Sequence, residues 1–214
     1  MVAIRLFDNT SIGKNQDTFS NCLSNKIPLL DNICQNSPEW NKKQKRAYSR
    51  LRSGFRIHKG ERLRFISLTS KEGMVRDINE AYGVLVKRIR RIRVIDLVKQ
   101  GYLHIQDIHK FYPGKKLIDT LRFEYFKVRT NEGQEGVLHI IYVGDYIPQK
   151  WLSDNWKDIT GVAYIVDIRA CKEGIKNTKR LAKYCISQYI TGGQGTTFER
   201  YSWSWGWIFR GAMW

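Results

Sequence analysis

Apolar residues recur along the chain with two different periods, and the switches between them mark out the elements. Between Met74 and Arg91 they fall at Ile78, Ala81, Val84, Leu85 and Ile89, with Ile92 just beyond. That spacing predicts an amphipathic helix packed on a sheet. Before it, Arg64–Ser70 sets Phe65, Ile66 and Leu68 among β-tolerant serine and threonine, a short strand ending at Lys71-Glu72-Gly73. Leu121–Thr130 alternates aromatic and polar positions, Asn131–Gly136 is glycine-rich, and Val137–Val143 is almost continuously apolar. The succession predicts a β-hairpin, and a turn centred near Gly133 sets a residue close to Val128 opposite His139. Ile147–Ile159 reads as a helix closed by Gly161, Ala163–Arg169 as a strand, and Asn177–Ile190 as a further helix. Upstream, Ser37-Pro38-Glu39-Trp40 carries the serine cap, early proline and acid of a helix start. This helix is expected to run to about Leu51 and to end near Gly54.

The order β-α-β-β-α-β-α predicts an α+β fold, an antiparallel-rich central sheet with helices packed on a face. Residues 1–37 lack periodicity and are rich in Asn, Ser and Asp, so they read as a loosely ordered extension, leaving 38–214 as one domain. The tail from Tyr201 to Phe209 places an aromatic at every second position, including Trp203, Trp205 and Trp207. A strand there has one wholly aromatic face. Such a face either packs into the core or stacks unpaired bases, with Trp203 and Trp205 the candidates for stacking.

Composition narrows the partner. The 214 residues include 37 Lys and Arg against 20 Asp and Glu, a formal charge of +17, and 42% are hydrophobic. The chain can therefore bury a core and is not a disordered tail. So large a charge attracts polyanions, and seven Trp with eleven Tyr favour nucleic acid over an anionic membrane surface. No apolar run approaches the ~20 residues of a spanning helix, and the N-terminus lacks the blocks of a signal peptide. A soluble, cytoplasmic protein with no membrane partner is expected. Cys22, Cys34, Cys171 and Cys185 are too widely spaced for a zinc site or a disulfide framework and read as reduced thiols. No G-x-x-x-x-G-K-[ST] loop occurs, so no nucleotide cofactor is expected. The charge gathers on Lys42, Lys43, Arg46 and Arg50 of the first helix and on Arg88, Arg91 and their neighbours ending the second. Both groups are expected to grip phosphates along one DNA track.

Three segments then fall in a telling order: the strand Phe65–Thr69, His139 within Gly136-Val137-Leu138-His139-Ile140-Ile141-Tyr142-Val143, and the late helix with Tyr184-Cys185-Ile186-Ser187-Gln188-Tyr189. Trp151-Leu152-Ser153, Trp156, Ile159, Gly161 and Tyr164–Ile168 lie between the last two. Over roughly residues 38–210 the constellation resembles the rolling-circle replication initiators of plasmids, phages and archaeal viruses, the His-hydrophobic-His endonucleases. The resemblance implies a ferredoxin- or RRM-like topology, a prokaryotic host cell, single-stranded or hairpin origin DNA as substrate, and the host replication machinery as partner. It also implies Mg²⁺ or Mn²⁺. In such nickases a tyrosine hydroxyl attacks a phosphodiester, leaving a 5′-phosphotyrosine and a free 3′-hydroxyl. Two histidines at i and i+2 of a strand hold the cation on the scissile phosphate.

Carried onto this chain, the resemblance makes Tyr184 the nucleophile by motif position, Tyr189 its close rival, Lys183 a phosphate contact and His139 a metal ligand. The chain departs from the pattern in two places. Ile141 stands where the second histidine belongs, so Glu124 and Asp167, with Glu132 and Glu135, are the acids available to complete the ligands. Tyr184 and Tyr189 are five residues apart, a rotation of about 500° that splays their hydroxyls by about 140°. The alternative is a protein of the same fold with an eroded metal site, binding DNA in replication or copy control without cutting it.

Overall fold

In a computed structural model, the structure describes residues 42–130, 136–163, 166–171, 177, 180–186 and 201–209. All of them belong to one unit, Asn41–Trp214. Helix α1 (Lys42–Ile57) leads to strand β1 (Leu63–Thr69) and helix α2 (Ile78–Arg91). Two short helices, α3 (Val94–Lys99) and α4 (Ile108–Phe111), precede the hairpin of β2 (Phe123–Thr130) and β3 (Val137–Gly144). Helix α5 (Gln149–Thr160) and strand β4 (Val166–Ala170) follow. Residues 180–186 are helical, and β5 (Tyr201–Trp203) and α6 (Trp205–Ile208) close the described chain.

The strands form one sheet in the order β4-β1-β3-β2-β5, every neighbouring pair antiparallel. Without β5, this is the split β-α-β arrangement of ferredoxin-like folds, with β1 between β3 and β4. The α+β expectation holds, with one change: helices cover both faces of the sheet. Residues opposite one another in antiparallel strands share a face, and alternate residues along a strand share it too. Ile66, Leu68, Phe123, Leu138, Ile140, Tyr142 and Val166 therefore look one way, into the larger core with α2 and α5. Phe65, Phe126, Val128, Ile141 and Val143 look the other way and are also buried. Over them lie α1, α6 and the 180–186 helix, whose Leu181, Ala182, Cys185 and Ile186 are buried.

Helix α1 shows why its charge and its packing do not conflict. Ala47, Leu51, Gly54 and His58 are buried, a stripe of four-and-three spacing that faces the sheet. Arg46, Arg50, Arg52 and Arg56 lie off this stripe and are exposed. The helix does not end near Gly54 as its glycine suggested; it continues to Ile57, because Gly54 is a close-packing position. A Cβ built there lies 2.0 Å from Cε2 of Trp207.

Helix α2 starts at Ile78, four residues after the expected Met74, because Asp77 caps it. The Asp77 carboxylate accepts the Asn79 amide at 2.8 Å and pairs with Arg129 of β2 at 3.1 Å. Partial burial opposes ionisation of Asp77, but the Asn79 amide and the Arg129 charge outweigh it and hold the carboxyl below its ordinary value near 3.8. A carboxylate lowered in this way stabilises the fold fully above its ordinary value, and that contribution is lost as pH falls through the folded value. Asp77→Ala is expected to cost about 1 kcal/mol at neutral pH, typical of a lost cap. Its penalty should shrink below about pH 4, measured as urea midpoints across a pH series; a penalty unchanged in acid would contradict the cap.

Helix α5 ends as the sequence indicated, with Gly161 at φ 82° after Thr160. The aromatic tail does not. It is extended only from Tyr201 to Trp203 and turns helical at Trp205. Ser204 accounts for the break: its hydroxyl accepts the Tyr125 amide at 2.9 Å and donates to the Glu124 carboxylate. Its amide meanwhile donates to the Tyr125 carbonyl at 2.9 Å. With its alternation broken, the tail splits its aromatics. Trp207 is fully buried, Trp203 half-buried, and Trp205 exposed.

Candidate functional site

His139 occupies the middle strand of the sheet, on the face covered by α1 and the 180–186 helix. The hairpin register sets it opposite Val128, as the turn position predicted. On its other side stands Ser67 of β1, and beyond Ser67 stands Asp167 of β4. Tyr201 extends the same row past Val128. Asp167, Ser67, His139, Val128 and Tyr201 thus cross the sheet in one line with side chains on one face.

The surroundings of His139 fix its ring. Nδ1 lies 3.1 Å from the Ser67 hydroxyl, and the Phe65 ring stacks on it with centroids 5.3 Å apart. Tyr184 closes over the pair, its ring centroid 5.6 Å from His139 and 6.2 Å from Phe65. The structure therefore brings together two residues named separately from the sequence, His139 and Tyr184. The imidazole is only 5% exposed, however, so it sits beneath the phenol rather than on an open sheet face.

Of the other residues named as metal ligands, the two that are described, Asp167 and Glu124, do not converge on it. Asp167 is two strands away, roughly 10 Å at strand spacing, and its carboxylate is held by Arg169 Nε at 2.6 Å. Glu124 shares the face but lies four residues along β2 from Val128, roughly 13 Å. There it accepts from the Ser204 hydroxyl and lies 3.9 Å from Arg90. Among the described residues, no group of three or more His, Cys, Asp or Glu is placed to hold an ion. Mg²⁺ and Mn²⁺ favour several oxygen ligands at once, a donor set that a buried imidazole and two separately engaged acids do not fit. Glu132 and Glu135 lie outside the described residues, as does Tyr189. Lys183 is exposed.

The basic residues also separate. Trp207 packs against Phe126 with centroids 6.4 Å apart, which seats α1 and α6 on the face that bears His139. Tyr82 of α2 packs edge-on against Tyr125 at 5.3 Å, on the opposite face. The single track expected from the sequence is thus two surfaces, one carrying Arg46 and Arg50, the other Arg88 and Arg91. Arg88 is moreover a clamp between helices, bonded to Asn155 at 2.9 Å and to Asp158 of α5 at 2.7 Å. Arg91 is exposed, and the side chains of Lys42 and Lys43 lie outside the described residues.

Several contributors were not named from the sequence. Ser67 and Phe65 belong to a strand whose pairing with β3 no local pattern reveals. His58 directly follows α1, 3% exposed, with Nδ1 2.9 Å from Glu61 and Nε2 3.0 Å from the Gly206 carbonyl. Burial opposes ionisation of Glu61, but hydrogen bonds from His58 and Arg122 outweigh it and lower its pKa. The two described cysteines are unpaired thiols, and burial pushes the Cys171 thiol up to about 12, which keeps it protonated and inert. No helix among the described residues is long and apolar enough to cross a membrane. No family model, no curated protein and no solved structure matches the chain.

Proposed function

We propose that the protein binds DNA and cuts and rejoins one strand of it at a replication origin, with Tyr184 as the nucleophile. The observation that carries this reading is the packing of Tyr184 on His139, 5.6 Å between centroids, in a chain of charge +17. In the proposed step the phenolic oxygen bonds to phosphorus and the bond from phosphorus to the 3′ oxygen breaks. The phenol proton leaves to solvent, and the departing 3′ oxygen is protonated in turn. Ser67 and Phe65 hold the His139 ring against the phenol, and exposed Lys183 is available to the phosphate.

A second reading, binding without cleavage, is favoured by the burial of His139 and by the separate partners of Asp167 and Glu124. One assay decides between them. The full chain is incubated with labelled single-stranded origin oligonucleotides and Mn²⁺, then run on a denaturing gel. The first reading expects a covalent adduct that Tyr184→Phe abolishes while Tyr189→Phe retains it. An adduct undiminished by Tyr184→Phe removes Tyr184 from the role. Salt-sensitive binding with no adduct on any origin leaves the second reading, with log affinity falling by about 0.7 per contacted phosphate for each tenfold rise in salt.

A further inference from the structure

One half-buried cation at the end of the larger core has no acid to pair with it. Arg64 of β1 stands opposite Tyr142 of β3 and shares with it the face that carries α2 and α5. Among the described residues Arg64 forms no ion pair. Its Nη1 donates to the Gly144 carbonyl at 3.0 Å, and its Cζ lies 5.6 Å from the centroid of the Tyr142 ring. A guanidinium carries five N–H donors, so one carbonyl and one ring face leave its charge unmatched. Holding a charge away from water without a counter-charge is costly.

The groups around Arg64 add a second donor. The Tyr142 hydroxyl is wholly buried, and among the described residues its proton meets no acceptor. The Ile147 amide facing that oxygen is itself a donor. Burial pushes the Tyr142 phenol well above its ordinary value, so it keeps its proton. The Arg64 charge also reaches the phenols of Tyr112 and Tyr146. These rings are fixed: the Tyr112 hydroxyl donates to the Tyr146 carbonyl at 2.7 Å, and Tyr146 stacks on Phe111 with centroids 4.4 Å apart. The acid facing Tyr112 and Tyr142 is Asp145. Its carboxylate is taken by Lys115 Nζ at 3.0 Å and by the Arg122 amide. Lys115 therefore balances Asp145, and the charge of Arg64 is left over.

A water molecule would accept the phenol proton but leave that charge unbalanced. An ion with two or more acceptor oxygens answers both, and a guanidinium matches carboxylate and phosphate oxygens in pairs. A phosphate within a nucleic-acid strand, flanked by its sugars, is too bulky to reach a wholly buried hydroxyl. We propose that Arg64 and the Tyr142 hydroxyl bind a small free oxyanion between β1, β3 and the chain leading into α5. The ion accepts from the guanidinium and the phenol at once. This site goes beyond the proposed function and does not depend on it.

The test compares melting temperatures of the full chain in chloride, inorganic phosphate and acetate at one ionic strength. An ion that binds only the folded state raises the midpoint. A gain in phosphate or in acetate over chloride is expected, and which of them gives it separates a phosphate site from a carboxylate site. A gain in neither overturns the proposal. Arg64→Gln is expected to weaken the effective ion about tenfold in calorimetric titration, whereas Arg62→Gln, an exposed change of equal charge, leaves it unchanged. Equal binding by wild type and Arg64→Gln overturns the site and assigns the ion to the general positive surface. Tyr142→Phe reads the hydroxyl separately. In chloride it should melt as high as wild type or higher, because the group it removes donates to nothing; in the effective anion it should fall behind. Should Arg64→Gln fail to fold, this reversal decides alone. Equal loss of stability by Tyr142→Phe in every salt overturns the proposal.

Discussion

Gly54→Ala is expected to destabilise the protein by about 1–3 kcal/mol or more, the cost of overpacking a filled site. In an exposed helix the same change gains about 1 kcal/mol, so the sign itself is the test. An alanine Cβ at Gly54 meets Trp207 Cε2 at 2.0 Å, Nε1 at 2.1 Å and Cζ2 at 2.5 Å. The indole has little room to retreat, because it is fully buried and also borders Phe55 at 6.0 Å and His58 at 5.6 Å. The urea midpoint should fall with the slope unchanged. Gly54→Ala with Trp207→Phe should lose less than the two single changes added together, the coupling expected of residues in contact. A stabilised Gly54→Ala would show that α1 does not carry α6 in this way.

What the sequence disclosed, and what it hid, follow from the range of each signal. The hairpin was legible because its register depends on a short turn; Val128 was expected near His139 and stands opposite it. Gly161 was legible as a helix stop because a positive φ favours glycine. Gly54 misled because the same residue type also serves close packing, and only the distant Trp207 distinguishes the two uses. The aromatic tail misled for a related reason. Its alternation has the period of a strand, but Ser204 finds better partners in Glu124 and Tyr125. The segment 94–120, with α3 and α4, was assigned no elements, because its helices are too short to establish a period.

For the candidate site, the types of residue were readable and their association was not. His139 and Tyr184 were named from separate motifs, and their packing could only come from the fold. Asp167 was chosen by type; its strand was recognised, but not that two strand spacings separate it from His139. Glu124 was chosen by type, and its charge serves the turn at Ser204 instead. One-letter patterns report which face of an element a side chain takes. They do not report what lies across that face from a strand paired much later in the chain.

Trp156→Ala is expected to have the largest effect of any single change in the other core, about 3–5 kcal/mol. Against a total stability of about 5–15 kcal/mol for a domain of ordinary size, that is enough to unfold a substantial share of the molecules in warm buffer. Trp156 is fully buried between α5 and the sheet, and its Nε1 donates to the Thr69 carbonyl at 2.9 Å. Thr69 ends β1, two positions after Ser67 on the strand that also carries Phe65. Truncating the indole therefore opens a cavity and also releases the end of the strand that orients His139. Trp156→Phe should cost less, because a ring remains in the core and only part of the volume goes with the hydrogen bond. Urea midpoints at unchanged slope give both costs, and an alanine penalty below about 1 kcal/mol would contradict the packing. If β1 is held from this side, the NMR signals of the His139 ring in the folded Trp156→Phe variant should shift, although the two residues face opposite cores. A His139 ring unaffected by that change would mean that β1 keeps its register from β3 and β4 alone.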